Sequence, residues 1–224
     1  MQKRITRAQR RGQIIEAAAS LFSRKGFNGT TTREVAQAVG VSEAAVFKHF
    51  ATKEELYAAI IEAKSQTEQI LSTAIAAANT RDDAQVLRAL AREMIARVQA
   101  DPTLMRLLLF SALEGHSLSE MFFRSRFQQV DRFLRRYIAD RVAAGAFRAV
   151  DPGLAAWHFM GMAVYHILLR ELFGQKGPPR LGLEQIVEEI AAVFLHGVCR
   201  SYRSPSPTRS RPSPLRSRRN RARS

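Results

Sequence analysis

The sequence predicts an all-α protein with an N-terminal three-helix head, a larger C-terminal helical domain and an Arg/Ser/Pro-rich tail. Three observations lead there. Apolar residues recur at three- and four-residue spacing up to Cys199, with no convincing alternating strand pattern. Capping signals and glycines cut that run into separate helices. From Arg203 onward the periodicity stops, and SPSPTRSRPSPLRSRRNRARS has too little apolar content to offset the entropy of ordering, so it is expected to be disordered.

The first helix is expected over 7–24, where Ile14, Ala17, Ala18, Leu21 and Phe22 share a stripe. Lys25 and Gly26 end it with a basic last turn and a glycine. Thr31 and Glu34, three apart before an apolar run, form a capping box for a helix that reaches Val39 and stops at Gly40. Ser42 supplies the next N-cap, for a helix over 43–50. Thr52 and Glu55 form a second capping box, opening a long helix over 53–79. Further helices are expected over 82–100, 102–113, 118–144, 152–173 and 183–202. Pro102 and Pro152 mark two first turns, with Asp101 and Asp151 before them as N-caps. Gly115, Gly145 and GQKGPPRLG at 174–182 supply breaks.

The net charge of +15 is uneven: residues 1–56 hold ten basic and five acidic side chains, and 203–224 hold eight arginines and no acid. The stretch between is nearly neutral, with 17 basic against 15 acidic residues. Basic ends suit phosphate, because each cation that neutralises one releases a condensed counterion. The single Cys199 excludes an internal disulfide framework and a multi-cysteine zinc site, and fits a reducing, cytoplasmic setting. No apolar run reaches the ~18 residues of a spanning helix, so no membrane partner is expected. No Gly-rich phosphate loop, nucleophile elbow or metal-ligand cluster is present; His158 and His166 lack a carboxylate at ligand spacing. Neither an enzyme nor a cofactor is expected.

Residues 34–50 hold two short helices joined at Gly40, with small Ala36 allowing close approach and Val35, Val39, Val41, Val46 and Phe50 forming a shared core. This is the pattern of a helix-turn-helix, whose second helix enters the major groove. With Val46 and Phe50 inward, that helix exposes Glu43, Ala44, Phe47 and Lys48, with His49 at its margin. Lys48 suits a guanine edge, Glu43 a cytosine amine and Ala44 a thymine methyl. Thr31, Thr32 and Arg33 start the preceding helix, where free N–H groups suit a phosphate. Lys53 is placed to clamp phosphate from the other side.

The run GFNGTTTREVAQAVGVSEAAVFKHFATKEEL resembles the DNA-binding head of TetR-family transcriptional regulators. Gly26-Phe27, Thr30-Thr31, Val35-Ala36, Gly40-Val41-Ser42, Phe47-Lys48-His49-Phe50 and Lys53-Glu54-Glu55-Leu56 match the family pattern in order. The resemblance implies DNA contacts through Thr31, Thr32, Arg33, Ser42, Glu43, Ala44, Ala45, Phe47, Lys48, His49 and Lys53. Phe47 stands where the family usually has tyrosine, which removes a phenol-to-phosphate hydrogen bond. Ala44 stands where glycine is frequent. Residues 1–56 are then the DNA-binding domain, 57–202 a ligand-binding and dimerisation domain, and 203–224 the basic tail.

The resemblance further implies a homodimeric, ligand-responsive repressor of double-stranded operator DNA, released by a small effector. Effector contacts are expected from aromatic, thioether and polar side chains: Met94, Phe110, Phe123, Phe127, Trp157, Met162 and Tyr165, with His116, Arg126, His158 and His166. The last two helices are expected to pair with their copies through Leu154, Gly161, Leu168, Ile186, Ile190, Val193 and Phe194. The competing reading is a non-specific architectural DNA-binding protein that works through its basic tail.

Overall fold

A computed structural model describes residues 5–65, 67–115, 120, 122, 124, 127–175 and 181–199. The fold is all-α. In chain order the helices are α1 (Arg7–Lys25), α2 (Thr32–Val39), α3 (Glu43–Phe47), α4 (Lys53–Lys64) and α5 (Thr67–Ala78). There follow α6 (Asp83–Ala100), α7 (Thr103–Leu113), α8 (Gln128–Ala143), α9 (Pro152–Ile167) and α10 (Leu183–Val198).

Among the described residues the buried apolar side chains form two clusters. The smaller gathers Ile14, Ala18 and Phe22 of α1, Val35 and Ala36 of α2, Val46 of α3, Phe50, and Leu56, Tyr57 and Ile60 of α4. Leu107 of α7 joins this cluster, with Leu104 packed against it. The larger cluster draws on α5, α6, α8, α9 and α10, with Phe159 and Phe194 meeting edge to face at 5.3 Å. Paired forks fasten α6 to α10: Arg88 donates to Glu188 at 2.5 and 2.8 Å, and Arg92 makes a two-pronged contact with Glu184. Asp83 fastens α6 to α8, accepting from Tyr137 Oη at 2.5 Å and Arg141 at 2.9 Å. The end of α10 is held where Phe147 and Cys199 form an isolated antiparallel bridge and Arg148 N–H donates to Val198 O at 2.8 Å.

Several expected boundaries move. The helix expected over 53–79 is two: α4 ends at Lys64 and α5 starts at Thr67. Hydroxyls at the junction take backbone carbonyls, Ser65 Oγ donating to Glu62 O and Thr67 Oγ1 to Ser65 O, each at 3.3 Å. That competition with the helical ladder is what serine and threonine do at helix ends. Pro102 rather than Asp101 occupies the cap position of α7, while the Asp101 carboxylate accepts Thr103 N–H at 3.0 Å. The helix expected over 152–173 changes hydrogen-bond pattern at Leu168, and Leu168–Leu172 forms a π-helix. Positions 118, 119, 121, 123, 125 and 126 of the helix expected over 118–144 and the end of that over 183–202 lie outside the described residues, as does the tail.

Besides this packing, hydrogen bonds join α7 to the head. Tyr57 Oη donates to Leu107 O at 2.6 Å from a fully buried position. The Glu114 carboxylate accepts Phe27 N–H at 3.1 Å and Asn28 N–H at 3.4 Å. Because Leu107 O sits inside a helix and keeps a ladder partner, Tyr57→Phe should cost only about 1 kcal/mol. Urea unfolding with an unchanged m-value checks this; a loss several times larger would assign the phenol a wider role.

Candidate nucleic-acid interface

Local signals shape α2 and α3. Thr31 Oγ1 accepts Glu34 N–H at 3.2 Å while Glu34 takes Thr31 N–H at 2.8 Å, completing the capping box. Gly40 ends α2 in the left-handed region at φ 73°, ψ 39°. A Cβ there would meet open space, so the backbone conformation and not packing calls for glycine. Val41 N–H returns to Ala36 O at 3.0 Å, and Ser42 Oγ caps α3 through Ala45 N–H at 3.2 Å. The helix expected over 43–50 closes early, at Phe47, and Lys48 and His49 form a turn. His49 and Phe50 N–H both reach Val46 O, at 2.9 and 3.1 Å. The turn thereby still delivers Phe50 to the core, where it is 1% exposed.

Ser42, Ala44, Phe47 and Lys48 are exposed on α3 and its ends, and Thr31 and Arg33 on α2. Thr32, Glu43, Ala45, His49 and Lys53 are half-buried. Phe47 is 46% exposed, a hydrophobic ring turned outward while its neighbour Val46 is 1% exposed. The two threonine hydroxyls are already engaged. Thr31 Oγ1 donates to Glu34 at 3.0 Å, and Thr32 Oγ1 donates to Glu43. A hydroxyl has one proton, so in this arrangement neither threonine side chain can donate to a phosphate. The donors at the α2 start that the capping box leaves over are the Thr32 and Arg33 backbone N–H groups. Glu43, expected to face cytosine, is instead tied across to α2.

Glu34 also pairs with Lys25 at 2.6 Å. The Lys25 hydrogen bond, then those from Thr31, hold the Glu34 carboxyl down at about 2. Lys53 lies over the Phe27 ring at 4.1 Å, with Phe22 at 5.8 Å. Burial pushes its pKa down, and Glu54, Glu114 and Glu34 oppose that shift. His49 Nδ1 is buried with no hydrogen-bond partner among the described residues. Two further residues belong to this region: Arg11, whose guanidinium sits 4.8 Å from the Phe50 ring centre, and Glu114. Neither residue carries a local signal, because each acts on a partner distant in sequence.

The expected effector residues that the structure describes divide between the larger core and the outer face of α9. Met94, Phe127 and Met162 pack half-buried against the larger core. Phe110 stands beside Gly26, where a Cβ would come within 3.1 Å of its ring. His166 is half-buried, its Nε2 enclosed and unpartnered among the described residues, and burial first and Arg170 second lower its pKa. Trp157, His158 and Tyr165 lie outward on α9, exposed among the described residues. His116, Phe123 and Arg126 lie outside the described residues.

The expected pairing residues also divide. Ile186, Ile190 and Phe194 are buried in the chain's own core, because the apolar stripe of α10 packs on α6 and α9. Leu154 and Val193, each 58% exposed, face outward, as does Gly161; Leu168 is half-buried. Trp157 at 60% and Tyr165 at 64% continue the exposed face of α9.

Residues 14–60 match the family model for bacterial regulatory proteins of the tetR family, and residues 85–197 match that for the C-terminal domain of AefR-like transcriptional repressors. The chain belongs to the TetR family. Among curated relatives, the HTH-type transcriptional repressor KstR2 of Mycobacterium tuberculosis is 40% identical over 47 residues, 21% of this chain. That match spans only 24% of KstR2. A TetR-family regulator from Mesorhizobium loti superimposes with a TM-score of 0.66 at 27% identity, covering 87% of this chain and 99% of its own. AibR, solved with isovaleryl coenzyme A and operator DNA, gives 0.63 at 27% identity, covering 82% and 97%. Among the described residues of this TetR-family chain, no helix is long and apolar enough to cross a membrane.

The Glu34 cap carries a pH signature. Its folded pKa of about 2 lies below the ordinary 4.5, so its stabilisation is complete above 4.5 and is lost as pH falls through about 2. Thermal melts taken down that window should fall more steeply for the wild type than for Glu34→Gln. Parallel curves would show that the cap is energetically silent.

Proposed function

We propose that this TetR-family chain is a homodimeric, ligand-responsive repressor of a pseudo-palindromic operator, acting by binding rather than catalysis. The observation that carries the reading is the outer side of α3 and the turn that follows it: Phe47 and Lys48 stand exposed there, while Val46 on the opposite face is locked into the core. An outward phenylalanine is disfavoured in water and is offset by a thymine methyl or a sugar edge. Arg33, at the start of α2, adds a cation beside the two backbone donors. Two such heads would meet successive major grooves roughly 34 Å apart.

The second copy is assigned to the outward face of α9 and α10. Leu154, Trp157, Tyr165 and Val193 place four large apolar side chains in solvent there, a face that self-association would cover. For the effector we propose a small hydrophobic or amphipathic molecule of the acyl-thioester class, supported by the AibR complex with isovaleryl coenzyme A. Coupling runs through α7, which contributes Leu107 to the head core and Glu114 to the loop before α2. An effector that favours a displaced α7 would favour a head spacing that fits the operator less well.

Selection of duplexes from a random pool should return an inverted repeat; a pool that never converges would sink the operator reading. On the selected duplex, Lys48→Ala and Arg33→Ala should each cost about 1–3 kcal/mol and relax base preference, while Lys53→Ala weakens all duplexes alike. Equal losses on selected and scrambled duplexes for all three would overturn these roles. Trp157→Glu should yield a monomer in sedimentation, with operator affinity lowered roughly tenfold or more. A dimer that persists unchanged moves the pairing face elsewhere.

A further inference from the structure

We propose that Arg11 is a phosphate-binding residue of the DNA interface, pre-positioned by stacking on Phe50. The proposal rests on the operator-binding reading above and adds to it a contact from α1.

The Arg11 guanidinium carbon lies 4.8 Å from the Phe50 ring centre. Phe50 is 1% exposed, whereas Arg11 is exposed, so the cation sits over a buried ring while the side chain remains open to solvent. A contact with a π face takes up no N–H donor in a hydrogen bond, so the guanidinium fork is available for two oxygens of a phosphodiester. Phe50 follows Lys48 and His49 directly, so its ring brings Arg11 to the C-terminal end of the recognition helix. A cation already docked on a buried ring also gives up less side-chain freedom when an anion arrives.

The charge is otherwise unanswered. Lys25 is paired with Glu34, Lys64 with Glu16 and Asp101, and Arg88 with Glu188. Among the described residues no ion pair involves Arg11; its partner is the uncharged ring. Arg7, Arg10 and Arg11 all lie in the first two turns of α1, which has no acidic residue in its first turn. Positive side chains at the positive end of a helix dipole repel it, and a bound anion would relieve both. A ring-stacked cation, an uncompensated charge and an acid-free helix start therefore converge on one ligand chemistry, the backbone phosphate.

The test is the salt dependence of DNA binding by the full-length protein, measured by fluorescence anisotropy on a self-selected duplex and on a mixed-sequence duplex. Arg11→Gln should weaken both duplexes by the same factor and reduce the magnitude of the log K against log salt slope by about 0.9 for each Arg11 in the complex. Arg11→Lys should restore the slope, and melting temperatures of both variants are recorded alongside. A purely structural Arg11 would lower affinity or melting temperature and leave the slope unchanged; that outcome overturns the proposal. Failure of the random pool to converge would overturn the operator reading instead, while the slope comparison on the mixed-sequence duplex still decides the role of Arg11.

Discussion

The Glu114 carboxylate bridges the head and the body: at the end of α7, it accepts the backbone N–H of Phe27 from 87 residues away in the chain. Phe27 stacks on Phe22 at 5.8 Å, meets Tyr57 edge to face at 5.5 Å and carries the Lys53 ammonium on its face. Tyr57 then returns to α7 through Leu107 O. The aromatic trio is thus fastened to α7 at two points, and the starts of α2 and α4 are built around it. Gly26 completes the joint, since a Cβ there would fall 2.3 Å from the Glu114 carboxylate.

Much of the head is legible in the sequence because its signals are local. Thr31 with Glu34, Ser42, Thr52 and Gly40 each act within four residues, and each appears as a cap or a left-handed turn where its type demands one. The break at Ser65 is also local but weak: serine and threonine are compatible with a helix, and Ser72 and Thr73 make similar hydroxyl-to-carbonyl bonds inside α5 without ending it. The π-helix at Leu168–Leu172 has no distinctive residue to announce it.

The functional faces were less legible, for a different reason. Periodicity reveals that a helix has an apolar stripe, yet says nothing of which molecule covers it. Ile186, Ile190 and Phe194 are expected at an intermolecular seam by their stripe, and the fold buries them in the chain's own core. Trp157 and Tyr165 look like pocket residues by type, and α9 turns them outward. Thr32 and Glu43 are legible as polar groups beside a recognition helix, but their mutual hydrogen bond depends on the angle between α2 and α3. Composition cannot show that the bond exists, nor that it removes the hydroxyl proton from any other use.

The placement of Leu107 has a consequence for synthesis. The head core contains this side chain, and Leu104 packs against it, although both belong to a helix that starts at Thr103. A nascent chain that has emerged only through α4 possesses the whole helix-turn-helix sequence but still has apolar head surface awaiting α7. Leu107 O and the Glu114 carboxylate arrive with the same helix. The segment that reads as a free-standing DNA-binding module is therefore completed late, by residues from the body, and a fragment cut after α4 would expose the surface that α7 normally seals.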